Sequence, residues 1–270
     1  MTIAPNRFKA SLGAVLVLTV TLVLLIGYVA VRTFAPRLRR PIQVLWCRAC
    51  NVILGLRVHT IGQPGAGARV LYAINHVSYL DIPALSSAID ATFVARADMA
   101  AWPMFGTIAK ATGTIFVDRS GPRAMEQRTL IVDRLAGGED LILFPEGTST
   151  DGSSVAPFKS ALFGIIGQDE AMADVVIQPV SITYVRYADG TPLVGPLVDL
   201  YSWYGDMTLV PHLFQVLGLR GVDVEVRFHE PIHAAEVGDR KELARRCHAA
   251  VAAGVAASHA AAAGTQSTDV

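Results

Sequence analysis

The chain has 270 residues with 23 basic and 23 acidic side chains, so no global charge field points to a nucleic acid. Hydrophobic residues make up 52% and charged ones 17%, a balance that suggests contact with a membrane. The length allows one sizeable core with a small appendage, and three cysteines suggest no disulfide framework.

Ser11 to Val31 carries no charge and is long enough, as a helix, to match a hydrocarbon core of roughly 30 Å. Arg7 and Lys9 precede it; Arg32, Arg37, Arg39 and Arg40 follow it. A cleaved signal peptide is the rival reading, but the apolar region is too long and the cleavage signal poor. An uncleaved anchor fits better. The heavier basic flank puts the following domain on the cytoplasmic side.

Pro41 to Leu56 places Ile42, Leu45, Trp46, Ala49, Ile53 and Leu56 at helical spacing. Two readings fit: a helix in the membrane interface with Trp46 at headgroup level, or a helix packed on the domain core. Trp46-Cys47-Arg48-Ala49-Cys50 mimics a redox motif. It sits inside a helical pattern rather than after a strand, and no second cysteine pair exists for a zinc site.

After the loop Gly62-Gln63-Pro64-Gly65-Ala66-Gly67, strand and helix patterns alternate. Strands are expected over Arg69–Ile74, Ala91–Ala95, Thr114–Val117, Asp140–Phe144, Val175–Thr183 and Val222–Phe228. Helices are expected over Ile82–Ile89, Met104–Thr112, Arg123–Leu135, Lys159–Ile166 and the alanine-rich Arg240–Ala257. The alternation predicts an α/β layered domain with a mixed sheet.

Two stretches carry candidate chemistry. In Asn75-His76-Val77-Ser78-Tyr79-Leu80-Asp81 a histidine precedes an aspartate by five positions, directly after the apolar run Val70–Ile74. On one helix the two side chains would diverge by about 140°. They can meet only with His76 in a turn and Asp81 at a helix start. Ser78 as N-cap with Asp81 three positions on is one such start; Asp81 as its own N-cap, with Pro83 in the first turn, is the other. Asp81 as a mere cap is therefore the bland reading, and such a pair is close to chance by itself. The second stretch, His229-Glu230-Pro231-Ile232-His233, matches the zinc-protease string. That chemistry needs a continuous helix, which Pro231 would break; a strand running into a loop fits better.

Further blocks give the first pair its context. Phe116-Val117-Asp118-Arg119 ends a strand in a guanidinium suited to clamping an anion. Phe144-Pro145-Glu146-Gly147-Thr148 ends another in a carboxylate at a glycine turn, and in Gln178-Pro179-Val180 the proline is expected to shape a strand edge. In this order, from about Arg69 to Tyr184, the blocks resemble those of the glycerolipid acyltransferase family, with the bacterial 1-acyl-glycerol-3-phosphate acyltransferases nearest in overall design.

The resemblance implies that His76 takes the proton from an acceptor hydroxyl attacking an acyl thioester, with Asp81 orienting the imidazole. It implies that Arg119, Glu146, Gly147 and Thr148 bind the headgroup of a lysolipid acceptor, and that acyl-CoA or acyl carrier protein is the donor. It calls for no cofactor, no metal and no nucleic acid. The expected organisation is an anchor over 1–40, an amphipathic helix and linker over 41–62, the acyltransferase domain over 63–235, and a helix and tail over 236–270. The expected location is the cytoplasmic face of a bacterial inner membrane.

One departure concerns the acceptor. Many members follow the glutamate block with an arginine, whereas this chain continues Thr148-Ser149-Thr150, and Lys159 is a cation that could compensate. The leading acceptor is 1-acyl-glycerol-3-phosphate. The alternative is a lyso-ornithine lipid, because the variant block also resembles the lyso-ornithine lipid acyltransferases.

Overall fold

The structure is a computed structural model that describes residues 4–65, 69–102, 105–117, 124–164 and 174–264. Helix α1 (Arg7–Phe34) is longer than the uncharged stretch and opens on Asn6, whose side chain accepts from the Lys9 N–H at 2.9 Å. One face of α1 is packed inward. Ala10 is buried, Gly13 lies against Leu217, and the Thr21 hydroxyl accepts from the Trp46 indole N–H at 3.0 Å. The opposite face exposes Val15, Leu18, Leu22, Ile26 and Val29.

Helix α2 (Arg39–Leu54) buries Cys47, Cys50, Asn51 and Leu54. Its Asn51 amide donates to the Pro83 carbonyl and the Ser87 hydroxyl, both at 3.2 Å, tying α2 to helix α3 (Asp81–Ala88). The amphipathic segment thus packs on the core, while Leu45 and Val52 stay exposed. Burial pushes the Cys47 and Cys50 thiols up to about 11 and about 12, which suits inert core cysteines rather than a redox pair.

The remaining strands are β1 (Leu56–Ile61), β2 (Val70–Ile74), β3 (Thr92–Arg96), β4 (Ile115–Val117), β5 (Leu141–Leu143), β6 (Val176–Tyr187), β7 (Val222–Phe228) and β8 (Ile232–His233). They form one mixed sheet in the order β1-β7-β6-β2-β5-β3-β4, with β8 also on β6. The β6–β7 and β6–β8 pairings are antiparallel and the others parallel. All five residues of β2 are buried, as a central parallel strand covered on both faces requires. Its side chains alternate between two cores: Val70, Tyr72 and Ile74 join α1–α3, whereas Leu71 and Ala73 face helix α5 (Ala124–Ala136) and the long C-terminal helix.

Three further helices complete the chain: α6 (Leu209–Gly218), a short α7 (Ala234–Val237) and α8 (Arg240–Gly264); α4 (Phe105–Ala111) lies before β4. All six expected strands form, within two residues at most boundaries; β6 runs on to Tyr187. The expected helix over Lys159–Ile166 is instead a 3-10 turn over Ser160–Phe163, followed by Gly164; what lies beyond is outside the described residues. Leu56–Ile61, within the span expected as helix and linker, is a strand beside β7, so the sheet begins before residue 63. Helix α6 is not among the expected helices; its Pro211 lies in the first turn, where a proline has no intrahelical bond to lose. Pro179 lies in an interior strand rather than at an edge. It occupies the point where the partner of β6 changes from β8 to β7, so its missing N–H disrupts neither ladder. The His229–His233 stretch is no helix: β7 ends at Phe228, β8 holds Ile232 and His233, and the His229 ring meets the Ser181 hydroxyl at 3.1 Å.

Candidate active site

The site grows from the C-terminal end of β2, the usual place for a ligand in a parallel α/β sheet. Asn75, the first residue past the strand, bonds across to β6 in both directions. Its Nδ2 donates to the Ile182 carbonyl at 2.9 Å and its Oδ1 accepts from the Ile182 N–H at 2.8 Å. This double bond replaces the ladder that β2 leaves behind and sets the direction in which the chain exits. His76 follows in the turn, and α3 begins at Asp81.

The two side chains meet. His76 Nδ1 lies 2.8 Å from Asp81 Oδ2, and the same oxygen accepts from the Val77 N–H at 2.8 Å and the Ser78 N–H at 3.1 Å. Asp81 thus reaches back to Ser78 as the acidic member of a capping box does. The other half of the box is missing, because the buried Ser78 hydroxyl has no partner. The second carboxylate oxygen, Oδ1, accepts from the Tyr184 hydroxyl at 2.8 Å. With four donors and no exposure, Asp81 is held in one orientation. A proton on Nδ1 facing this carboxylate leaves the lone pair on Nε2, which has no protein partner among the described residues. The imidazole is 20% exposed, so part of the ring is open to solvent.

The Phe144–Thr148 block sits directly behind the histidine. Phe144 stacks on the His76 ring with centroids 4.2 Å apart and planes inclined by 18°. Glu146 Oε1 accepts from the His76 N–H at 2.6 Å, and Oε2 accepts from the Ala156 N–H at 2.7 Å. The Thr150 N–H donates back to the His76 carbonyl at 2.9 Å. The peptide groups on both sides of His76 are therefore fixed by a loop some seventy residues away. Gly147 turns that loop at φ 80°, a left-handed conformation that a side chain would strain.

Asp81 and Glu146 are both buried, Gly147 is half-buried and Thr148 exposed. Glu146 faces inward, with both oxygens on backbone N–H groups. Burial pushes its carboxyl up to about 7, against the pull of the His76 and Ala156 N–H groups. Arg119 lies outside the described residues. Gln178 ties loops together: its amide donates to the Gln63 and His229 carbonyls and its oxygen accepts from the Gly65 N–H at 2.7 Å. Tyr184 went unread in the sequence. It is buried, stacked on Tyr201 at 6.1 Å, and its phenol is pushed well above its usual range by burial first and the Asp81 charge second. The hydroxyl consequently stays a donor to Asp81.

A turn-borne histidine backed by a buried aspartate, at the C-terminal end of a central strand, is an arrangement suited to general-base chemistry. The pattern of the acyltransferase family matches residues 55–183, and the chain belongs to that family. Among curated relatives, it is 39% identical over 197 residues to the lyso-ornithine lipid O-acyltransferase of Brucella abortus, covering 72% of this chain and 73% of that protein. The lyso-ornithine lipid O-acyltransferase of Rhizobium meliloti is 35% identical over 244 residues, or 89% and 83% of the two chains. The 1-acyl-sn-glycerol-3-phosphate acyltransferase of Neisseria gonorrhoeae is 31% identical over 188 residues, 69% of each. The crystal structure of the 1-acyl-sn-glycerophosphate acyltransferase PlsC from Thermotoga maritima shares the fold, with a TM-score of 0.62 at 19% identity over 91% of this chain and 97% of that one.

Proposed function

We propose that this protein transfers a fatty acyl group from an acyl thioester to the hydroxyl of a lysolipid, and that the acceptor is of the lyso-ornithine type. The observation that carries the reaction is the 2.8 Å contact between His76 Nδ1 and a fully buried Asp81, with Nε2 left without a protein partner among the described residues. His76 Nε2 takes the proton of the acceptor hydroxyl as its oxygen attacks the thioester carbonyl. The C–O bond forms, the C–S bond breaks, and the imidazolium returns the proton to the departing thiolate. Asp81 keeps the imidazole in the required tautomer and stabilises its charged form. No covalent acyl-enzyme is needed, and Ser78, buried behind the histidine, is not called on as a nucleophile. The co-substrate is acyl-CoA or acyl carrier protein, and the reaction uses no cofactor.

Glu146 and Tyr184 act through their neighbours, the first on the His76 peptide and the second on Asp81. Gly147 and Thr148, at the outer end of the same turn, are the nearer candidates for the acceptor headgroup, together with Arg119. The catalytic domain works at a membrane, held by the exposed apolar face of α1, and the basic residues after that helix favour the cytoplasmic side.

Two observations favour the ornithine-type acceptor. The relatives so named are 35–39% identical, against 31% for the glycerophosphate enzymes. The turn after Glu146 also lacks the arginine that would pair with a phosphate monoester. A 1-acyl-glycerol-3-phosphate acceptor fits the same site chemistry. The test is an acceptor panel, in which one labelled acyl donor is offered with lyso-ornithine lipid or with lysophosphatidic acid. Preferential labelling of the ornithine lipid supports the reading; preference for lysophosphatidic acid overturns the choice of acceptor, and labelling of neither overturns the reaction.

A further inference from the structure

The arginines after α1 do more than flank an anchor. Arg37, Arg39 and Arg40 converge with Lys110 from the end of α4 and Arg134 from α5 around one cleft of about 430 Å³. Among the described residues a single acid, Glu139, lines it with them. Arg134 is paired with Glu139 at 2.7 Å, and Arg40 with Asp90 at 2.6 Å and the Ser86 carbonyl at 3.3 Å. Arg37 and Lys110 make no ion pair among the described residues, and both are exposed. A solvated basic flank would splay its charges apart. Here cations from three separate elements are brought to one concavity, which raises its potential and favours an anion.

The cleft adjoins an apolar groove. Tyr28, Gln43, Ala111 and Thr112 border both, and the groove continues between α1, α2 and α4 along Leu24, Leu25, Ile42, Trp46 and Ile108. It runs beside the lipid-facing surface of α1, where Leu22, Val23, Ile26 and Val29 are exposed. We infer that the cleft binds one anionic glycerophospholipid of the membrane, its phosphate between Arg37 and Lys110 and the first methylenes of an acyl chain against the shallow groove, whose free volume is about 30 Å³.

The shape separates this ligand from others with a phosphate. Inorganic phosphate leaves the groove without an occupant. An acyl-CoA carries its fatty chain a full pantetheine arm away from its phosphates, whereas here the apolar groove begins at the basic cleft itself. The position separates it from the catalytic site as well. Thr92, on the cleft wall, pairs with Leu141, which is level with Leu71 in β2. From that level β2 runs on for three residues to Ile74, roughly 10 Å at about 3.3 Å per residue, and His76 lies in the turn beyond, at the opposite end of the sheet. This inference does not depend on the proposed reaction, because it is read from lipid retention without turnover.

The experiment is native mass spectrometry of the full chain released from nanodiscs of mixed phosphatidylcholine and phosphatidylglycerol. The wild type is expected to retain one phosphatidylglycerol. The double variant R37Q/K110Q is expected to retain it roughly tenfold less, as loss of two cations at a headgroup implies. I108W, which fills the groove without altering charge, is expected to lose it as well. Melting curves of each variant serve as the fold control, and wild-type-like melting is expected. No phosphatidylglycerol on the wild type, equal retention in all three proteins, or displacement of the lipid by acyl-CoA would each overturn the inference.

Discussion

At the scale of residues, the site is a set of fixed orientations around one imidazole. Asp81 supplies the tautomer, Glu146 and Thr150 hold the peptide, and Phe144 holds the ring plane. Tyr184 fixes the far oxygen of Asp81. Y184F removes that one charge-assisted bond, worth about 1.5–3 kcal/mol, so kcat is expected to fall roughly tenfold to a hundredfold. KM for both substrates is expected to stay near the wild-type value. Steady-state kinetics of the purified variant check this, and an unchanged kcat contradicts a positioning role for Tyr184.

Glu146 makes a prediction in pH. Its folded carboxyl is pushed up to about 7 by burial, from an ordinary 4.5, so the folded state holds the proton more tightly than the unfolded one. Its contribution is complete below the unfolded value and is lost as pH rises through about 7, by at most about 3 kcal/mol. E146Q cannot titrate. The melting temperature of the wild type relative to E146Q is therefore expected to be higher near pH 5 than near pH 8. A gap that stays constant with pH would show that Glu146 is an ordinary carboxylate.

At the scale of elements, the central strands were legible because a parallel strand buried on both faces must be a continuous apolar run, as Val70–Ile74 and Leu141–Leu143 are. Strand β1 was not, because as an edge strand it exposes Arg57, His59 and Thr60 and shows only a broken apolar pattern. The start of α3 was left open between two caps. The structure uses neither in full: Asp81 begins the helix but spends its carboxylate backwards on His76 and the turn. His76 and Asp81 could be found locally, since five positions separate them. Tyr184 could not, because its place opposite Asp81 depends on how β6 registers against β2 a hundred residues away.

At the scale of the molecule, the anchor and the catalytic domain are one packed body. Helix α1 runs along α2 and α6 rather than standing clear of them, with Ala10, Gly13 and Thr21 on its inner face. Its outward face is apolar, and Leu45 and Val52 of α2 and Val210 and Phe214 of α6 are exposed as well. The apolar helix was legible in the sequence; its packing along the domain depends on α2 and on α6, a helix not among those expected from the sequence.

The central claim is that His76 is the base for acyl transfer to a lysolipid. The direct measurement is turnover of a labelled acyl thioester with lysolipid by H76A, alongside its melting curve and its sedimentation with membranes. The account predicts a loss of about a hundredfold to ten-thousandfold in rate, with folding and membrane association retained. Near-normal turnover by a folded, membrane-bound H76A would contradict it.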